Sequence, residues 1–234
     1  MKEKKQSEFA YAVPKTVPVM VGYLFLGAAY GILMNVNGFG VWWTLAASVL
    51  VYAGSLQYLG VTMLMGGFAP LEALVMSLML NARHLFYGVS MLEKYGKFQK
   101  RWRKWYAVFG LTDETFSIVC HEEIPKELNA DKVYLWITVL DHAYWVVGSV
   151  IGAWVGALIR FDTTGLDFAL TALFVVIFTE QWNQKEGHMP AVLGVAASIL
   201  CIVLFGKDTF IIPAMIVIGA VLGIGYKKGG KKHE

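Results

Sequence analysis

The chain has 234 residues, 57% of them hydrophobic and 16% charged, against about 45–50% and about 25% in an ordinary soluble domain. A soluble chain of this size would still have to cover its outside with polar groups, and the supply is too small, so the excess calls for lipid and one membrane domain over 1–234. A net charge of +3 is too small to suggest a nucleic-acid partner.

A spanning helix needs about 20 mainly apolar residues, because about 30 Å of hydrocarbon is crossed at about 1.5 Å per residue. The first apolar run starts near Val17, after Lys2, Lys4 and Lys5. The small-residue triplet Ala10-Tyr11-Ala12 precedes that run rather than following it, so an uncleaved helix is expected over 14–34 instead of a signal peptide. Segments 41–65 and 69–92 are the next candidate spans. From Glu93 to Tyr106 there are six basic residues, with Tyr95, Phe98, Trp102 and Trp105 at intervals of three, four and three. That spacing predicts an interfacial amphipathic helix over 93–106, its aromatics in the headgroup boundary and its cations in water or on anionic lipid. A connector lying on the membrane and a regulatory lipid sensor are both compatible with it. Residues 107–120 carry Asp113 and Glu114 near their middle and suit a half-helix or re-entrant segment as well as a short span. Further candidate spans cover 133–159, 166–182, 189–206 and 208–226. The expected fold is an all-α, polytopic bundle of about seven helices, six to eight, open to broken or re-entrant segments and a weak internal repeat. It is expected to be multi-pass in the cell's inner or plasma membrane.

Basic clusters flank the apolar runs at the N-terminus, from Lys94 to Lys104, and at Lys227, Lys228, Lys231 and Lys232. The positive-inside rule would put all of them in the cytoplasm, yet the three spans between the first two clusters place those on opposite faces. Either an early segment dips in and returns, or the mid-chain block lies on the other side. Cys120 and Cys201 belong to no Cys-x-x-Cys pair and read as inert thiols.

Small residues recur every fourth position in Gly27-Ala-Ala-Tyr-Gly31, in Gly148, Gly152 and Gly156, and in Gly219 and Gly223. Such faces let helix backbones approach closely in lipid. The set from Gly148 to Gly156 is the strongest, either for packing within the chain or as a seam for a partner.

An ionisable group at mid-bilayer costs at least about 2.5–3.5 kcal/mol on insertion scales, so each asks for a partner, a cavity or a role. Gln57 follows Gly54 and Ser55, which would loosen a helix and expose carbonyls to an ion or substrate; an interhelical hydrogen bond is the plainer reading. Asn81-Ala-Arg83-His84 falls at the centre of its segment, and Arg83 suits either a substrate carboxylate or a protein acid. Asp113 and Glu114 are adjacent acids fit for proton exchange or for a solvated loop tip. Asp141-His142 reads as a proton relay and Glu180 as a further relay acid or an interfacial one. Candidate pathway or substrate residues are therefore Ser55, Gln57, Asn81, Arg83, His84, Asp141, His142 and Tyr144; candidate relay residues are Asp113, Glu114, Asp141 and Glu180. His84-Leu-Phe-Tyr and His142-Ala-Tyr-Trp form a faint echo, each histidine preceded by a charge. If the echo marks a repeat, Arg83 and Asp141 are expected to face and neutralise each other across its interface.

No His-Glu-x-x-His, Gly-rich phosphate loop or Gly-x-Ser-x-Gly occurs, so no enzyme, cofactor or metal is expected. The stretches Tyr52-Ala-Gly-Ser-Leu-Gln57, Leu80-Asn-Ala-Arg-His-Leu-Phe-Tyr-Gly88, Leu111-Thr-Asp-Glu-Thr-Phe116, Leu140-Asp-His-Ala-Tyr-Trp145 and Gly165-Leu-Asp-Phe-Ala-Leu-Thr-Ala-Leu-Phe174 together resemble the AzlC family of branched-chain amino acid permeases. The resemblance covers most of the chain and implies export of leucine, isoleucine and valine together with a small AzlD-like membrane subunit. A non-transporting scaffold subunit, or a transporter of another small amphiphile, is the competing class; the buried charges argue against the scaffold.

Overall fold

The computed structural model describes residues 7–67, 70–158, 168, 171, 175, 178, 179, 182, 188–206, 210 and 213–221. The helices are α1 (Glu8–Val36), α2 (Val41–Leu50), α3 (Gly54–Met65), α4 (Pro70–Asn81), α5 (Arg83–Ser90), α6 (Leu92–Gly96), α7 (Arg101–Phe109), α8 (Asp113–Val119), α9 (Ala130–Leu158) and α10 (Met189–Phe205). Residues 213–221 are also helical, and no strand occurs among the described residues. The chain divides into two compact units, residues 1–73 with 84–169, and residues 74–83 with 170–234.

In the first unit α1 and α9 are each 29 residues long and are the two described helices with the length and apolarity to cross a membrane. Each extends about 43 Å at about 1.5 Å per residue, more than the hydrocarbon requires. They meet backbone to backbone. A Cβ on Gly31 would stand 2.0 Å from the Ser149 carbonyl oxygen, one on Gly152 2.0 Å from that of Ala28, and one on Gly148 2.8 Å from that of Tyr23. Gly156 faces Ile32 and Asn35 at 3.2 Å. The glycine face that sequence left open between internal packing and a partner seam is thus filled by α1. Tyr144 adds a tie on the same pair, its hydroxyl 3.2 Å from Thr16 Oγ1.

Three segments that read as continuous are broken. The span over 41–65 stops at Leu50 and restarts at Gly54, with Tyr52 in the left-handed region at φ 42°. The span over 69–92 stops at Asn81 and restarts at Arg83. The interfacial helix over 93–106 is two pieces, α6 and α7, because the Gln99 N–H turns away to donate to Asp131 Oδ2 at 2.7 Å. Its aromatic stripe divides accordingly: Tyr95 is buried and Phe98 stacks on Tyr134, whereas Trp102 and Trp105 are exposed. Lys94 does not stay with the exposed cations. Its ammonium donates to the carbonyls of Val119, Cys120 and Glu122 at 2.8, 2.8 and 3.0 Å, using all three protons to close the C-terminal end of α8. Residues 107–120 hold the last turn of α7 and the seven-residue α8, which is too short to span.

Below α8, Glu122 binds the start of α1, accepting from the Tyr11 hydroxyl and pairing with Lys15 at 2.9 Å. Partial burial pushes its carboxyl up, but those two donors outweigh it and hold Glu122 below the usual carboxylate range. The core of this end comprises Ala12, Met91, Tyr95, Ala107, Leu111, Val119, Val133, Tyr134 and Ile137.

In the second unit α10 ends at Gly206, whose φ of 80° favours glycine. Trp182 stacks on His188 at 4.4 Å, and Phe178, Trp182, Val192, Val195 and Ile199 line an apolar cleft of about 580 Å³. Most residues of the expected span over 166–182, Glu180 among them, lie outside the described ones, as do 208, 209, 211, 212 and 222–226 of the span over 208–226.

Gly152→Ala forces a methyl into the Ala28 carbonyl and, as overpacking of a rigid contact, is expected to cost about 1–3 kcal/mol or more. Gly22→Ala, also on a long helix but with nothing within 4 Å of the added carbon, leaves stability unchanged or raised. Thermal unfolding of the detergent-purified protein distinguishes the two; equal midpoints would contradict the packing described.

Candidate functional site

The break between α2 and α3 generates the site. In a continuous helix the Ser48 carbonyl would accept from the backbone N–H four residues on, at Tyr52. Tyr52 leaves the helix, so the last bond of α2 is Val51 N–H to the Ala47 carbonyl at 2.9 Å, and the Ser48 carbonyl is released into the interior. His142 of α9 takes it up. Its Nε2 lies 3.2 Å from the Ser48 oxygen, and its Nδ1 lies 2.8 Å from the Tyr106 hydroxyl. A carbonyl only accepts, so Nε2 carries a proton, and in the neutral ring Nδ1 accepts from Tyr106. The Tyr52 ring stacks on His142 at 4.1 Å and meets Tyr23 edge-on at 6.5 Å, which holds the strained residue in place.

The α3 side of the break is shaped by Trp145. Its indole lies against Gly54, where a Cβ would come to 3.2 Å of the ring, and its N–H donates to Gln57 Oε1 at 3.0 Å. Trp145 is flanked by Tyr30 and Tyr23, at 6.0 and 5.5 Å between centroids. Gln57 therefore makes an interhelical bond, and its buried Nε2 has no hydrogen-bond partner. Ser55 is half-buried in the first turn of α3.

Asp141, one residue before His142, points elsewhere, since neighbours on a helix do not share a face. The relay expected within this dipeptide is not made. Asp141 is fully buried; its Oδ2 accepts from Thr115 Oγ1 at 2.8 Å and its Oδ1 has no hydrogen-bond partner. From Thr115 the polar contacts continue to Thr112 Oγ1 at 3.1 Å, from Thr112 to the Tyr23 hydroxyl at 2.6 Å, and from Tyr23 to Glu114 Oε2 at 2.7 Å. Five side chains from α1, the start of α8 and α9 thus form one unbroken line ending in a carboxyl at each end. Asp113 faces another way, accepting from Tyr87 at 2.5 Å, and His84 meets the Tyr87 ring edge-on at 5.4 Å.

Sequence reasoning identified both carboxyl ends and missed the hydroxyls between them. Thr112 had a legible signal, a threonine directly before an acidic first turn, and it does cap α8 by accepting from Thr115 N–H at 3.3 Å. Tyr23 and Tyr52 had none, because a tyrosine in an apolar helix reads as bulk. Of the two histidines in the echo, His84 is the second residue of the eight-residue α5 and His142 lies inside the 29-residue α9. Arg83 and Asn81 belong to the second unit, and Asp141, the acid expected to face Arg83, is bonded in the first unit to Thr115.

His142→Phe keeps a ring against Tyr52 but leaves the Ser48 carbonyl and the Tyr106 hydroxyl without their partner. A loss of about 1–3 kcal/mol is expected from stranding a buried group, read as a lower thermal midpoint; an unchanged midpoint would show that the histidine does not satisfy the break.

The model of the family described as AzlC protein matches residues 18–159, which contain every residue of the site described above. The branched-chain amino acid transport protein AzlC of Bacillus subtilis (strain 168) is 44% identical over 92% of this chain and 84% of its own length. An uncharacterized membrane protein of Haemophilus influenzae is 38% identical over 94% and 90%, and the inner membrane protein YgaZ of Escherichia coli is 26% identical over 89% and 84%. No solved structure matches. With a family model over more than half of its length and relatives aligned nearly end to end, the chain belongs to the AzlC family.

Proposed function

We propose that this protein is a multi-pass secondary transporter of the inner or plasma membrane that exports leucine, isoleucine and valine, couples their movement to protons and works with a small AzlD-like membrane subunit. The substrate class is supported by the Bacillus subtilis relative, whose name states branched-chain amino acid transport. The observation that carries a transport mechanism is the fully buried Asp141, with one oxygen unbonded, on a helix long and apolar enough to cross the bilayer. A carboxyl at such a depth is expensive and marks a pathway or a proton relay. The break at Tyr52 supports the same reading, since interrupted helices supply polar backbone where a transporter meets its cargo. Arg83 offers the planar donor fork that suits a substrate carboxylate.

Reconstituted vesicles holding the chain with and without the small subunit test each part. Leucine flux is expected from the pair, far slower flux from the chain alone, and dependence on an imposed pH gradient that a protonophore removes. Equal flux without the subunit would remove the partner from the account, flux indifferent to gradient and protonophore would remove the coupling, and flux of none of the three amino acids would remove the substrate.

A further inference from the structure

Counting protons along the line from Glu114 to Asp141 gives a result that distances alone do not. The line has four links: Glu114 to Tyr23 at 2.7 Å, Tyr23 to Thr112 at 2.6 Å, Thr112 to Thr115 at 3.1 Å, and Thr115 to Asp141 at 2.8 Å. Each link needs one proton, and the three hydroxyls supply one apiece. With both carboxyls ionised, Tyr23 and Thr115 must each donate outward to an acid, and Thr112 has one proton for two hydroxyl neighbours. One pair of buried oxygens is then left facing without a proton. The Thr115 N–H does not help, because it donates to Thr112 Oγ1 and fills none of the four links.

We infer that the line holds one proton more than its hydroxyls supply, shared between Glu114 and Asp141, and so forms a two-ended site that stores and passes a proton. With that proton all four links are filled in either direction. With the proton on Asp141, it donates to Thr115, Thr115 to Thr112, Thr112 to Tyr23 and Tyr23 to Glu114; with the proton on Glu114 every donor reverses. When a proton enters at one carboxyl, each hydroxyl hands its own proton on and accepts the one arriving, and one leaves from the other carboxyl. No bond other than O–H is made or broken.

The surroundings agree. Asp141 Oδ1 has no hydrogen-bond partner, which costs far less as the carbonyl of a neutral acid than as half of an ion. The ends differ in access, since Asp141 is fully buried and Glu114 half-buried. Among the described residues, titratable groups beside the line include Tyr52, whose buried hydroxyl neighbours Tyr23 and Thr115, Asp113, which accepts from Tyr87, and His142, which is turned to Tyr106 and the Ser48 carbonyl. Use of the site in coupling rests on the transporter reading; the shared proton does not.

Infrared difference spectra of the full chain in lipid vesicles at neutral pH, taken against Glu114→Gln and Asp141→Asn, test it. An amide at either end supplies the missing donor, so the carbonyl band of one protonated carboxyl, present in the wild type, should be lost in both variants. Loss in only one variant would assign the proton to a single acid and overturn the sharing, as would a wild type without the band. Should an amide variant fail to fold, Thr112→Val cuts the line at its centre while Thr112→Ser keeps it. The valine variant should then split one shared titration into two independent ones, and an unchanged titration would overturn the proposal. Leucine flux from the same vesicles separates the two readings. Gradient-independent flux with a shared band leaves the site standing without a coupling role, and coupled flux without the band overturns the site alone.

Discussion

Gly27 and Gly31 on α1 lie against the backbone of α9, and Gly148 and Gly152 on α9 lie against the backbone of α1, with no room on either side for a side-chain carbon. In lipid, helices gain nothing from hiding apolar surface from water, so close van der Waals contact is what holds such a pair. The contact also fixes chemistry. It sets Tyr23 of α1 level with the start of α8 and with Asp141 of α9, so that the Tyr23 hydroxyl bonds Thr112 and Glu114 while its ring packs against Trp145. A wider separation of the two helices would draw the tyrosine away from both.

Around that pair the helices are interrupted where polar groups are needed. Interruptions release backbone groups, and several of these are met by side chains: His142 meets the Ser48 carbonyl, Lys94 meets the carbonyls at the end of α8, and Thr112 caps its beginning. A buried polar group without a partner costs free energy, and water is scarce at this depth. Among the described residues, Ser48 Oγ, the Tyr52 hydroxyl, Gln57 Nε2 and Asp141 Oδ1 lack hydrogen-bond partners on or beside the break between α2 and α3 and the line from Glu114 to Asp141, while the Tyr95 hydroxyl and Arg103 Nε lack them on α6 and α7. Many large apolar side chains face outward, among them Trp42, Trp43, Leu158 and Val203, which fits a lipid setting.

Composition and run length made the all-helical class legible, and the four-residue glycine spacing made the α1–α9 contact legible in kind, though not which helix would fill it. Buried carboxyls were legible because charge in an apolar run is expensive whatever the fold. Helix breaks were harder to read. Apolar runs over 41–65 and 69–92 look continuous because hydropathy reports burial and says little of a single residue such as Tyr52 turning to φ 42°. Lys94 reads with its cationic neighbours until α8 ends beside it. The hydroxyl line was illegible because its members come from three parts of the chain, and their meeting depends on the separation of two helices.

The most direct measurement of the central claim, that the α1–α9 contact positions a hydrogen-bonded line which moves protons, is leucine-driven proton movement in vesicles carrying Tyr23→Phe. The phenyl ring keeps the packing against Trp145 and Tyr52 and removes only the oxygen that joins Glu114 to Thr112. The account predicts a helical, thermally stable protein in which proton movement on leucine addition is lost. Proton movement at the wild-type rate in that variant would contradict it.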